Sequence, residues 1–222
     1  MRCVIFALVL GLACASTAQA GAWLRSKGGG FTSTSVSTNA SRELSTSFYL
    51  EYGLSKNFTL GADISYGVDR TSFQEGSGIA FLRFPLGPTD KTNKWAAHVG
   101  VGARYLAGFY LPAAEIGVSW GRGIQWRDKY GWVNIDTSFN RARAPTEDRI
   151  KFDGTVGMGL SERSKVMLQM FNTFEGGETF TKLAPSYLFS PGGGKTTLQL
   201  SVELPLAGGG ENTLKLGVWR DF

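Results

Sequence analysis

The most constraining stretch of this chain is its last, Asn212 to Phe222. Leu214, Leu216, Val218 and Phe222 share one face at period two, interrupted only by Arg220, while Thr213, Lys215, Gly217, Trp219 and Asp221 share the other. Successive side chains of a strand point to opposite sides, so this alternation builds a strand with one apolar and one polar face. The same period recurs throughout. Phe58, Leu60, Ala62, Ile64 and Tyr66 alternate with Thr59, Gly61, Asp63 and Ser65; Leu198, Leu200, Val202 and Leu204 alternate with Thr197, Gln199, Ser201 and Glu203. Ile150, Phe152, Val156, Met158 and Leu160 oppose Lys151, Asp153, Thr155, Gly157 and Gly159, and Ala114, Ile116, Val118 and Trp120 oppose Glu115, Gly117, Ser119 and Gly121. Weaker runs lie at 31–37, 44–54, 77–86, 95–106, 130–140, 165–174 and 181–190. No segment keeps helical i, i+3, i+4 spacing beyond a turn or two. With the last strand the count is about twelve, each near the ten residues that a tilted membrane strand needs.

The first twenty residues read differently. Arg2 supplies a positive charge, Cys3 to Ala13 an apolar core too short to span a bilayer, and Ala18-Gln19-Ala20 a small-x-small cleavage site. Residues 1–20 are therefore expected to be a cleaved export signal, and 21–222 one domain. Gly11 stands where a lipidation signal ahead of Cys14 would carry leucine. Both cysteines, Cys3 and Cys14, lie in the leader, so no disulfide is expected to stabilise the exported chain. The formal charge of +5 is scattered, which argues against nucleic acid as a partner. Thirty glycines, fifteen phenylalanines and a near-neutral mean hydropathy of −0.08 fit a sheet whose apolar and polar faces average out.

The connections carry a second regularity. Gly53-Leu54-Ser55-Lys56-Asn57 and Gly159-Leu160-Ser161-Glu162-Arg163 are near-copies of a tight polar turn, expected after strands two and eight and hence on one side. Longer links are expected on the other side at 68–76, 141–149 and 175–180. Two further links, 87–94 and 121–129, read as long on the short-turn side. Trp95, Trp120, Trp132 and Trp219 fall at strand ends on that same side, where amphipathic rings would form a membrane-interface belt.

A final strand ending in Phe222 resembles that of Gram-negative outer-membrane β-barrels. The resemblance implies an all-β, single antiparallel up-and-down barrel in the bacterial outer membrane. It further implies lipid around the barrel and an assembly machinery that reads the C-terminal strand through Phe222. The start Gly21-Ala22-Trp23-Leu24-Arg25, with Tyr52-Gly53-Leu54-Ser55 and Phe58-Thr59-Leu60-Gly61, is similar to transporter-type porin families.

If the apolar faces meet lipid, the polar sets face a lumen. That places Glu51, Asp63, Arg83, Arg104, Glu115, Asp136, Lys151, Asp153, Glu203 and Lys215 inside. Two interiors satisfy buried charge: a hydrated pore in which Arg83 and Arg104 bias passage towards anions, or an interlocked salt-bridge plug. The first gives passive passage of small hydrophilic solutes; the second gives a structural or assembly barrel serving an envelope or polysaccharide-export pathway. A third reading is a lipid-modifying esterase using His98. Barrel esterases commonly carry His and Ser two apart on one strand, and here Val99 and Gly100 follow His98. One histidine and no exported cysteine imply no metal site, and no cofactor is expected. Pro191-Gly192-Gly193-Gly194-Lys195-Thr196 imitates a phosphate-binding loop, but Phe189 stands at its first glycine and no helix follows, so it is read as a turn.

Overall fold

The alternation resolves into twelve strands in a computed structural model that describes residues 21–144 and 146–222; the expected leader lies outside the described residues. They are β1 (Gly30–Asn39), β2 (Leu44–Ser55), β3 (Phe58–Val68), β4 (Gln74–Pro85), β5 (Asn93–Leu106), β6 (Phe109–Trp126), β7 (Lys129–Ala142), β8 (Arg149–Gly159), β9 (Ser164–Glu175), β10 (Glu178–Phe189), β11 (Thr196–Ala207) and β12 (Thr213–Asp221). Each pairs antiparallel with its chain neighbours, and β1 pairs with β12 from Phe31↔Asp221 to Asn39↔Thr213, so the sheet closes on itself. Closure leaves no edge strand with unpaired backbone groups, which a hydrocarbon environment would not tolerate.

The outer face is apolar around the wall. Val36 on β1, Ile64 on β3, Val101 on β5, Ile116 on β6, Phe152 on β8, Leu168 on β9, Leu200 on β11 and Leu216 on β12 all stand exposed, Val101 at 68%. A water-soluble protein does not carry a continuous apolar band of this extent; a barrel in lipid does. The opposite parity faces inward. There, glycines make room for large rings from neighbouring strands: a Cβ at Gly61 would strike the Phe81 ring, and one at Gly157 the Trp132 ring.

The start of β1, the end of β12 and the turns after even-numbered strands lie at one end, here the terminal end. The turns after odd-numbered strands lie at the far end. The two near-copy turns do follow β2 and β8. The expected asymmetry in link length does not hold. The 121–129 link is instead strand: β6 continues to Trp126, paired with Lys129, and turns through Arg127, at φ 57°, and Asp128. The 175–180 link shrinks to Gly176-Gly177 between β9 and β10. Glycines at 121, 123, 131, 176 and 177 show no side-chain parity, so the period-two signal lapses where the backbone stays extended or turns tightly. Pro191–Gly193 forms a single short turn between β10 and β11.

The tryptophan belt requires a correction. Trp95 and Trp120 stand outside as cross-strand partners, their ring centroids 6.5 Å apart. Trp132 is instead buried in the interior with Met167 and Leu188, and Trp219 packs against that cluster. Each shares the parity of polar residues, Trp132 with Asn134 and Trp219 with Lys215, so the strand geometry turns both away from lipid.

Candidate functional site

The interior is built in two unlike halves. At the terminal end, residues 21–29 do not join the sheet; 21–25 lie inside it, buried or half-buried, and 26–28 are exposed. The Ala22 N–H donates to Asn134 Oδ1 on β7 at 3.3 Å, and Ala22 is 2% exposed. Trp23 packs against the Trp132–Met167–Leu188 cluster and lies so close to Gly121 on β6 that a Cβ there would strike its ring. The Arg25 N–H donates to Thr59 Oγ1 on β3 at 2.9 Å, and its side chain reaches Glu51 on β2 and Asp221 on β12. Gly28 N–H donates to Gly53 O, and Gly53 N–H returns a bond to Gly29 O. One short segment therefore contacts β2, β3, β6, β7 and β12, spanning the barrel's cross-section.

Beneath this segment sits Glu51, fully buried. Its carboxylate accepts from Arg25 Nε at 2.6 Å, from Tyr49 Oη at 2.6 Å, and from Arg83. The Arg83 guanidinium also donates to Tyr49 Oη at 3.2 Å and lies over the Phe81 ring. A lone buried carboxylate would be costly; two guanidiniums and a phenol make this one tolerable. The Arg25 fork completes a second stack over Phe31, whose ring meets Trp219 edge-on at 5.9 Å.

Aromatic contact carries the network further in. Phe81 lies 5.5 Å from the His98 ring, and His98 Nε2 meets Glu115 Oε1 at 3.2 Å. Asn140 donates to Glu115 Oε2 and accepts from Arg104 Nε at 2.9 Å. Arg104 then donates to Glu175 Oε1 at 2.6 Å and to the Glu147 carbonyl, while Arg149 donates to the other Glu175 oxygen at 2.7 Å.

The far half is open and polar. A cavity of about 470 Å³ opens there, lined on one side by Ser35, Ser37, Ser45, Ser47, Ser65 and Ser77 and on the other by Arg104, Arg149, Glu175, Glu203 and Lys215. The serines bond across strands in pairs, Ser35 to Ser47 at 2.7 Å and Ser37 to Ser45 at 2.6 Å. Glu203 has Lys215 at 3.4 Å and Lys182 at 3.6 Å. At the rim, Asp69 accepts from Thr71 and from the Phe73 N–H, and these bonds hold its carboxyl below the usual aspartate range. Glu211 is held low in the same way by Ser41.

The register sets the ten predicted interior residues on the inward parity. Glu51 and Arg83 meet directly, Arg104 reaches Glu115 through Asn140, and Glu203 meets Lys215. Asp136 and Asp153 are direct cross-strand partners. Asp63 and Lys151 border a pocket of about 10 Å³ beside Glu115 and Arg149, between the two halves. Arg83 and Arg104 lie on the paired strands β4 and β5, and each guanidinium is engaged by protein groups in a different half. Sequence reasoning missed Trp23, Arg25, Tyr49 and Glu175. Tyr49 was recoverable, because it shares the parity of Glu51 two residues on; residues 21–29 carry no alternation to place them. Among the described residues no cluster of three or more His, Cys, Asp or Glu side chains could hold a metal ion.

No protein-family model and no curated protein matches this chain. Its shape does have counterparts among solved structures. The KdgM porin superposes with a TM-score of 0.60 at 6% identity, covering 86% of this chain and 99% of its own. LpxR from Salmonella typhimurium gives 0.60 at 8% identity over 86% and 99%. An outer-membrane channel from Pseudomonas putida F1 gives 0.50 at 13% identity over 90% and 97%. The fold is that of the outer-membrane β-barrels.

Proposed function

We propose that this barrel is an outer-membrane channel for small hydrophilic solutes, closed at rest by its own N-terminal segment. The observation that carries the reading is the division of the interior: residues 21–25 occupy the terminal half by non-covalent contacts, while the far half keeps an open polar cavity of about 470 Å³. The apolar outer band supports a position in lipid. The expected leader and β12 ending at Phe222 support export and assembly through the C-terminal strand. That a porin and a channel share the fold at low identity is consistent with transport.

In this reading Arg83 and Arg104 hold the interior together, each guanidinium being bonded to protein groups, and selectivity rests on the hydroxyls and mixed charges that line the cavity. His98 belongs to the same packing: its ring makes a tilted contact with Phe81 and is bonded to Glu115 in the interior, whereas hydrolysis of lipid would need it open to the bilayer.

A permanently plugged barrel is the second reading, favoured by one observation. The Glu51–Arg83–Tyr49 network belongs to the wall and would remain if the segment left. Liposome swelling separates the two. Vesicles containing a variant lacking Ala22–Lys27 should swell in solutions of small neutral sugars, and wild-type vesicles should swell far more slowly. A deletion variant that is folded and inserted yet gives no swelling would establish the plugged barrel instead.

A further inference from the structure

The segment that fills the terminal half starts against an acidic surface. Asp136 on β7 and Asp153 on β8 lie directly opposite one another on the inward face. Both are half-buried, and like charges so placed repel unless a cation or a shared proton offsets them. Neither carboxylate forms an ion pair within 4 Å among the described residues, although Lys151, on the same face of β8, lies near Asp153: Asp136 is bonded by Asn134 and Ser119, and Asp153 accepts the Asn172 N–H at 3.3 Å. Arg83 is committed to Glu51.

Gly21 rests on this surface. A Cβ there would collide with Asp136 Oδ1 and with the Asn134 amide, and its φ of +79° is one that glycine adopts freely. The next residue's N–H is bonded to Asn134. In the sequence, Gly21 is also the residue after the small-x-small pattern Ala18-Gln19-Ala20.

We infer that leader cleavage supplies the missing cation: the α-ammonium of Gly21 is the counter-ion of Asp136 and Asp153 and latches the N-terminal segment inside the barrel. Water hydrolyses the Ala20–Gly21 peptide bond, leaving a carboxylate on the released leader and an amine on Gly21 that takes up a proton at neutral pH. Before cleavage the same nitrogen is a neutral amide and can neutralise neither carboxylate. The inference rests on the closed-channel reading for its consequence, because it makes closure a product of maturation, but its test does not depend on conductance.

The test uses protein expressed with its own leader and purified from outer membranes. N-terminal sequencing should begin at Gly21. An amine-reactive ester at pH 7 reaches α-amines ahead of lysines, whose ordinary pKa is about 10.4 against about 7.7–8.0. Folded wild type should label at Gly21 at least about tenfold more slowly than urea-unfolded protein, as expected of a group reached only by local opening. Asp136→Asn should bring folded-state labelling close to the unfolded rate. Where that variant does not fold, a second one retains Asp136 but inserts Ala-Ser after Ala20, displacing the ammonium; it too should label near the unfolded rate. A mature start elsewhere, rapid labelling of folded wild type, or unchanged protection in the folded variants would each overturn the latch. A folded but silent deletion of 22–27 would overturn the channel reading and leave the labelling result standing.

Discussion

The two halves of the interior use charge in opposite ways. In the terminal half, one fully buried carboxylate, Glu51, gathers two guanidiniums and a phenol among stacked rings. In the far half, Glu203 meets two lysines beside an open cavity, one of them with half of its side chain exposed. Coulomb attraction is large where water is excluded and modest where it is not. The same residue types therefore act as structural fasteners at one end and as a hydrated lining at the other.

That contrast sets an order of expected effects, each measured as the urea midpoint of the heat-modifiable gel shift. Glu51→Gln should be the most damaging, costing about 3–5 kcal/mol, because Arg25 and Arg83 are left without their shared anion in a buried site. A loss below about 1 kcal/mol would show that water reaches this layer. Trp23→Ala should follow at about 2–3 kcal/mol, less than a fully buried aromatic because the ring is half-buried, and should loosen the N-terminal segment. Glu203→Gln should cost no more than about 1 kcal/mol and lose even that in high salt, since its partners are partly solvated. An effect as large as that of Glu51→Gln would erase the distinction between the halves.

The smallest effect is at the rim. The bonds from Thr71 and the Phe73 N–H keep the Asp69 carboxyl lower folded than unfolded. Its contribution is present in full above the usual aspartate range and is lost as pH falls through the depressed folded value. Protection of loop 69–73 against hydrogen exchange, taken relative to the intrinsic exchange rate at each pH, should fall on acidification through that window in wild type and stay constant in Asp69→Asn.

Much of this architecture was legible because a closed antiparallel sheet in lipid writes its faces directly into the sequence. Leu198–Leu200–Val202 against Gln199–Ser201–Glu203 states both the strand and its orientation. The reading failed where that code is silent or was overruled. Gly121 and Gly123 hid the continuation of β6. Residue type alone puts Trp132 and Trp219 in an interface belt, although their parity points inward. Arg25 could not be placed at all. Its partner Glu51 lies 26 residues away and its own segment has no period, so only the closed barrel brings the two together.

The most direct test of the central claim is single-channel recording of wild type and the 22–27 deletion in the same planar bilayer. The account predicts a largely silent wild type and steady, ion-selective conductance from the deletion. A wild type that conducts steadily, or a folded and inserted deletion that stays silent, would contradict it.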